Sequence, residues 1–330
     1  MSEIMEMNKY YLAATGDRSD RKADIEAILN KYSTCILGVG DFFVSGIVMP
    51  EGATLMGLGR ESRVILLSEI ESGAAIAMNS YTAVKNLSVL GSETEIDIPT
   101  SVGSRHGVTF IGTATPKDYS GQKKNSIIES LHIRGFSGGG ITLSDTGYST
   151  SASVTASNCH IMKCGAGINI PHFSEYHEFT NILSSQNFYG CINNGGNNCF
   201  VNCGFDSNVT AFLIDNSRGQ SENNSHGSAV GCTFNHSGKN EGVGIMILGA
   251  KHGYVFTGCQ IFYSKIILDG ADGVIINSTN FGRNEEITVK NSGAVIFSSC
   301  VFGTPPTVTV ENSKVVSSLC YTRPGEEIKF

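Results

Sequence analysis

The chain has 330 residues, 40% of them apolar and only 16% charged, with a formal net charge of −7 and no block of Lys or Arg. That balance argues against nucleic acid and against an anionic membrane surface as partners. No apolar run approaches the roughly eighteen residues that a spanning helix needs, so no membrane segment is expected.

In chain order, the start Met1-Ser-Glu-Ile-Met-Glu-Met7 is acidic and has neither a basic stretch nor an apolar core. It does not read as a secretory signal, which predicts a chain made in the cytoplasm. Residues 1–15 read as a linker or docking segment. Asp20 to Tyr32 is the one convincing helix, because Ile25, Ile28, Leu29 and Tyr32 follow helical spacing and Ser19 or Asp20 can serve as N-cap. Residues 16–44 therefore form a capping helix with a first strand, and the helix covers an open sheet edge. The body is expected over 45–322, and 323–330 is a short tail.

That body is repetitive. Gly253-Tyr-Val-Phe-Thr-Gly-Cys259-Gln-Ile261 returns as Gly273-Val-Ile-Ile-Asn-Ser-Thr279-Asn-Phe281, as Ala294-Val-Ile-Phe-Ser-Ser-Cys300-Val-Phe302, and as Lys314-Val-Val-Ser-Ser-Leu-Cys320. A second phrase keeps the same beat in Gly244-Ile-Met-Ile-Leu, Lys265-Ile-Ile-Leu-Asp, Glu286-Ile-Thr-Val-Lys and Thr307-Val-Thr-Val-Glu. Each alternates apolar with polar side chains, as a strand with one buried face does. Gly, Asn and Ser mark the corners, in keeping with 39 Gly in the chain. Repeats of about twenty residues cannot bury an apolar face alone, but stacked at about 4.8 Å they share one core. The expectation is an all-β parallel β-helix, a solenoid of about twelve or thirteen coils.

The ten cysteines fit this frame. No CxxC pair occurs, and most sit in the repeated strand phrase. There a small thiol faces inward, so reduced core cysteines are expected.

The opening carries a resemblance. Gly16-Asp17, the helix after Asp20, then Gly40-Asp-Phe-Phe-Val-Ser-Gly-Ile-Val-Met-Pro50 and Leu55-Met-Gly-Leu-Gly-Arg60 resemble the start of the pectate-lyase-like right-handed parallel β-helix superfamily. Phage tailspikes share that opening. Asn193-Asn-Gly-Gly-Asn-Asn198 and Asn223-Asn-Ser-His-Gly227 are similar to phage and prophage tail proteins of gut Firmicutes. The resemblance implies a right-handed coil, homotrimers, a bacterial surface polysaccharide or oligosaccharide as ligand, and virion docking through the N-terminus. It also implies action outside the cell as part of a virion.

Function is expected where the repeat is least regular, between about residues 171 and 242, because insertions in a solenoid are free to vary. One excursion holds His172, Glu175, Tyr176, His177 and Glu178. Another holds Asp215, Arg218, Glu222 and His226. Aligning Leu143, Ile170, Ile192 and Leu213 or Ile214 stacks Asp145, His172, Asn194 and Asp215 or Asn216, and the column continues as Asp269, Lys290 and Glu311. Stacked coils repeat at about 5 Å, so carboxylates on nearby coils can flank a glycosidic bond. Glu175, Asp215 and Glu222 are the catalytic candidates. His172, Tyr176, His177, Asn194, Asn197, Arg218 and His226 are the substrate-binding candidates, with Tyr176 or Tyr189 as a sugar platform in a chain without Trp. The few cations there favour a neutral glycan. His177-Glu178 lacks the second His of a zinc motif and no EF-hand phrase occurs, so neither metal nor other cofactor is expected. Three readings stay open: a tailspike-like receptor-binding protein with or without glycan cleavage, a bacterial glycoside hydrolase or polysaccharide lyase, and a non-catalytic adhesive solenoid.

Overall fold

The two-residue alternation is realised as short parallel strands. The computed structural model describes residues 9–111, 121–143, 151–217, 226–236, 242–283 and 285–330. Three long sheets account for nearly all the strands, with 13, 12 and 11 members respectively; we call them sheets A, B and C. The strands of each sheet follow one another in chain order, and the chain is a right-handed parallel β-helix with a helix at its start. No helix among the described residues is long and apolar enough to cross a membrane.

Two compact units divide the chain, residues 1–169 and 170–330. In unit one the helix Lys22–Tyr32 buries Ile25 and Leu29 and packs against the strands Thr34–Leu37 and Ile47–Val48. Its cap differs from expectation. Arg21 occupies the N-cap without a side-chain bond, while Asp20 accepts the N–H groups of Lys22 and Ser45 at 2.9 and 3.2 Å. Asp20 thus ties the helix start to the neighbouring strand. The 1–15 segment is also shorter than expected as a linker, since Tyr11–Leu12 pairs with Ile36 and Leu37 as a strand of sheet A. Residues 1–8, which belong to the docking expectation, lie outside the described residues.

In unit two the last coils keep the beat read from the sequence. Val255 pairs with Ile275, Ile275 with Ile296 and Ile296 with Val316. Inside, rings stack coil on coil: Phe179 on Phe200 at 4.7 Å, Phe205 on Phe234 at 5.3 Å and Phe281 on Phe302 at 4.3 Å. The corners repeat too. Asn202, Gly231, Gly258 and Ser299 take positive φ of 52° to 64°, which turns the next side chain inward. Those next residues are Cys203, Cys232, Cys259 and Cys300, all buried and unbridged. Each thiol donates to the carbonyl two residues back and to one on the coil below, as Cys203 does to Val201 and Phe179. A small, apolar, weak donor suits that corner. Phe330 packs edge-on against Phe297 at 5.0 Å, so the tail folds over the final coil.

The least regular coil is not where the sequence placed it. Ala83 pairs directly with Ile127, so the chain makes a 44-residue excursion between neighbouring strands of sheet A in unit one. In unit two the largest such step, Thr210 to Val243, is 33 residues.

Candidate functional site

From Asn194 onward the column read from the sequence exists in unit two, but His172 falls outside it, because the Asn194 N–H donates to the Ile170 carbonyl and so sets Pro171 opposite Asn194. Ile192 pairs with Leu213, which selects Asp215 over Asn216 as the neighbour of Asn194. Asp215 pairs onward with Leu248, Leu248 with Asp269, Asp269 with Lys290 and Lys290 with Glu311. Its groups are held by one another. The Asp215 N–H donates to Asn194 Oδ1 at 2.8 Å, and Asp215 Oδ1 accepts the Ser217 N–H and hydroxyl at 3.0 and 2.6 Å. Lys290 pairs with Glu311 at 3.1 Å, and Asn291 donates to Asp269 at 3.0 Å. Tyr189 stands close enough to Asp215 for that charge, after burial, to push its phenol pKa up.

The first excursion splits into an outer and an inner set. Tyr176, at φ 61°, is 62% exposed, and Glu175 bridges Gly196. His172 is half-buried in the turn after Pro171. The left-handed turn at Tyr176 sends His177 inward, and this corrects the expectation that His177 binds ligand. It is 1% exposed, its Nε2 lies 2.6 Å from Ser174 Oγ, and its N–H donates to Asn198 Oδ1 at 3.0 Å. Burial pulls its pKa down to about 3, so the ring is neutral. The asparagine run divides the same way. Asn193 and Asn198 are buried and bonded to each other at 3.0 Å, whereas Asn194 is half-buried and Asn197 exposed.

Glu175 sits in register with Gly196, one coil before the level of Asp215, two residues further along than Asn194. Glu175 and Asp215 are therefore two coils apart, about 10 Å along the axis. That spacing is too wide for a nucleophile and acid pair at about 5 Å and also exceeds the inverting range of roughly 6.5–9.5 Å. His226 is half-buried and edge-on to His252 at 6.1 Å. Arg218, Glu222 and Asp145 lie outside the described residues.

The sequence reading missed a cleft of about 570 Å³ in unit one. In the strands Gly40–Val44, Ser62–Leu66 and Ser88–Leu90 of sheet B, Phe42, Val64 and Val89 face the core. Alternation turns Phe43, Ile65 and Leu90 outward, yet they are only 4%, 3% and 7% exposed. The excursion from Gly91 to Ser104 covers them and leaves the cleft between itself and the sheet, with Ser92, Thr94, Asp97 and Thr100 on its rim. Arg18 closes one side, lying 5.4 Å over the Phe43 ring and pairing with Glu93 at 2.5 Å. Adjacent apolar pairs on three successive strands were the available signal, since a strand buried on both faces loses its alternation.

With this geometry the class is a right-handed parallel β-helix bearing an outer polar column and an insertion cleft. No protein family and no curated protein matches the sequence. Among solved structures the chain is similar to gene product 12 of bacteriophage phi29, with 12% identity, 97% of this chain and 53% of that one covered, and TM-score 0.67. DFA-IIIase from Arthrobacter chlorophenolicus A6, solved in complex with GF2, matches at 9% identity over 97% and 93% of the two chains, TM-score 0.61. The A-module of the mannuronan C-5 epimerase AlgE4 from Azotobacter vinelandii matches at 12% identity over 96% and 98%, TM-score 0.56. The chain spans nearly all of the two enzymes and about half of the phage protein. These likenesses establish the fold.

Proposed function

We propose that this chain is a glycan-recognising β-helix of the phage tailspike kind, which binds a bacterial surface polysaccharide through the outer face of unit two. The observation that carries this reading is the outer polar edge formed by Asn194, Asp215 and Ser217. Amides, hydroxyls and a carboxylate at coil spacing can bond successive sugar hydroxyls, and exposed Tyr176 offers a ring face. Homotrimers, docking through the N-terminal segment and action outside the cell complete the proposal. Binding without turnover is favoured over hydrolysis or lyase chemistry, because Asp215 is engaged by Ser217 and stands two coils from Glu175.

The test is incubation with capsular and wall polysaccharides, following both binding and chain length, for the wild type and for Glu175→Gln and Asp215→Asn. We expect binding without shortening of the glycan, and roughly tenfold weaker binding for Asp215→Asn, the scale of a lost charge-assisted hydrogen bond. Cleavage abolished by either substitution would overturn the non-catalytic reading, and binding untouched by both would remove this face. Light scattering should give three times the 35.1 kDa chain mass; a monomer would end the trimer proposal.

A further inference from the structure

The unit-one cleft has a chemistry that the unit-two column lacks. Arg105 opens the strand Arg105–Phe110 and reaches into the cleft, where its Nη2 donates to the carbonyls of Leu66, Leu67 and Gly91 at 3.4, 3.2 and 3.0 Å. These bonds fix the guanidinium, and Nε is left buried without a partner. Among the described residues no carboxylate pairs with it. Arg134, which follows Phe43, Ile65 and Leu90 in the same outward column, is in no ion pair among the described residues, although its charge helps Lys163 hold the Glu95 carboxyl pKa down. The other charges around the cleft are already matched. Arg18 pairs with Glu93, and Lys163 pairs with Glu95, leaving Asp97 on the rim as the one unmatched acid of the lining.

A fixed, half-buried guanidinium without a counter-ion attracts an anion, because desolvation raises the energy of the unpaired charge. The surroundings define what carries that anion. The floor is aliphatic, from Ile65 to Leu67, and the rim bears the hydroxyls of Ser68, Ser92, Thr94, Thr100 and Ser137. An apolar floor beneath a ring of hydroxyls suits a sugar ring, whose C–H face packs while its hydroxyls bond outward. We propose that the cleft beneath residues 91–104 is an anion-selective saccharide site, in which Arg105 binds the carboxylate or phosphate group of a short charged sugar. The site stands independently of any binding at unit two.

The test uses the full chain, titrated by calorimetry with three probes of equal length: a uronate trisaccharide, a phosphorylated trisaccharide and a neutral trisaccharide. One or both charged probes should bind at least tenfold more tightly than the neutral one, with affinity falling as salt rises; whichever binds identifies the anion. Arg105→Gln should lose at least tenfold and Arg105→Lys less. Because Arg105 also clamps three carbonyls, Asp97→Lys on the exposed rim provides a variant that leaves the clamp intact, and it should bind the charged probe several-fold more tightly. Asp215→Asn should change nothing. Equal binding of neutral and charged probes, no binding of either charged probe, or an unchanged affinity in Asp97→Lys would each overturn the proposal.

Discussion

The outer column of unit two and the cleft of unit one reach opposite electrostatic ends from the same fold. In the column every coil presents a neighbour about 5 Å away, so polar groups meet partners as they stack: Lys290 meets Glu311, Asp269 meets Asn291, and the Asp215 N–H meets Asn194. In the cleft, residues 91–104 leave the stack between two paired strands, and Arg105, which starts the second of them, donates to carbonyls and among the described residues pairs with no carboxylate. Regular stacking satisfies polar groups locally. An insertion leaves one over for a ligand.

The strongest challenge to that contrast is inside unit two. Asn208 Oδ1 accepts the Asn187 N–H at 2.8 Å and its Nδ2 at 3.1 Å, and Asn208 Nδ2 donates to the Ser184 carbonyl at 2.9 Å, all buried. Asn208→Ala removes three buried hydrogen bonds and should cost about 2–4 kcal/mol in urea unfolding, although Asn187 Nδ2 keeps its bond to Ser184 Oγ at 3.0 Å. Ser92→Ala on the cleft rim should cost under about 0.5 kcal/mol. Equal costs would mean that ladder and insertion are built alike.

Acid offers a second, smaller measure. His177 is neutral in the fold with a pKa near 3, against 6.5 for the free side chain. Between these values the unfolded chain takes up a proton that the folded chain refuses. Its contribution is complete above pH 6.5 and declines as pH falls towards 3. The loss at pH 5 is about 2 kcal/mol relative to pH 7.5. Glu285, 2% exposed and raised to about 6 by burial, has the opposite sign: the fold holds its proton more tightly, so this term improves as pH falls from 6 through 4.5. Stability measured at both pH values for His177→Phe and Glu285→Gln should show a flatter acid limb in the first and a steeper one in the second. A His177→Phe limb as steep as that of the wild type would refute the assignment.

The smallest effect is chemical. Cys199 is the half-buried cysteine and the other nine are buried, several with thiol pKa values pushed up to about 12 by desolvation. A thiol reagent should modify Cys199 first and leave the corner ladder untouched until unfolding. Early labelling of Cys203 or Cys300 would show the corners open.

Much of this was legible in the sequence because a solenoid writes its fold locally. Alternation named the inward positions, Gly, Asn and Ser marked the left-handed corners, and the beat of about twenty residues put Asp269, Lys290 and Glu311 in one column, while the choice between Asp215 and Asn216 was left to the strand pairing. The helix over Ile25 and Leu29 followed from spacing in the same way. What spacing could not assign was any residue leaving the beat. His177 looked like a ligand-binding group beside Glu175, and only the turn at Tyr176 decided that it points into the core to meet Ser174 and Asn198. Nothing in the spacing singled out Arg105, and only the path of residues 91–104 decided that it stands over an apolar floor, paired with no carboxylate among the described residues. A repeat transmits register from coil to coil through backbone hydrogen bonds; an insertion breaks that transmission, and its side chains are then placed by the surfaces it folds against.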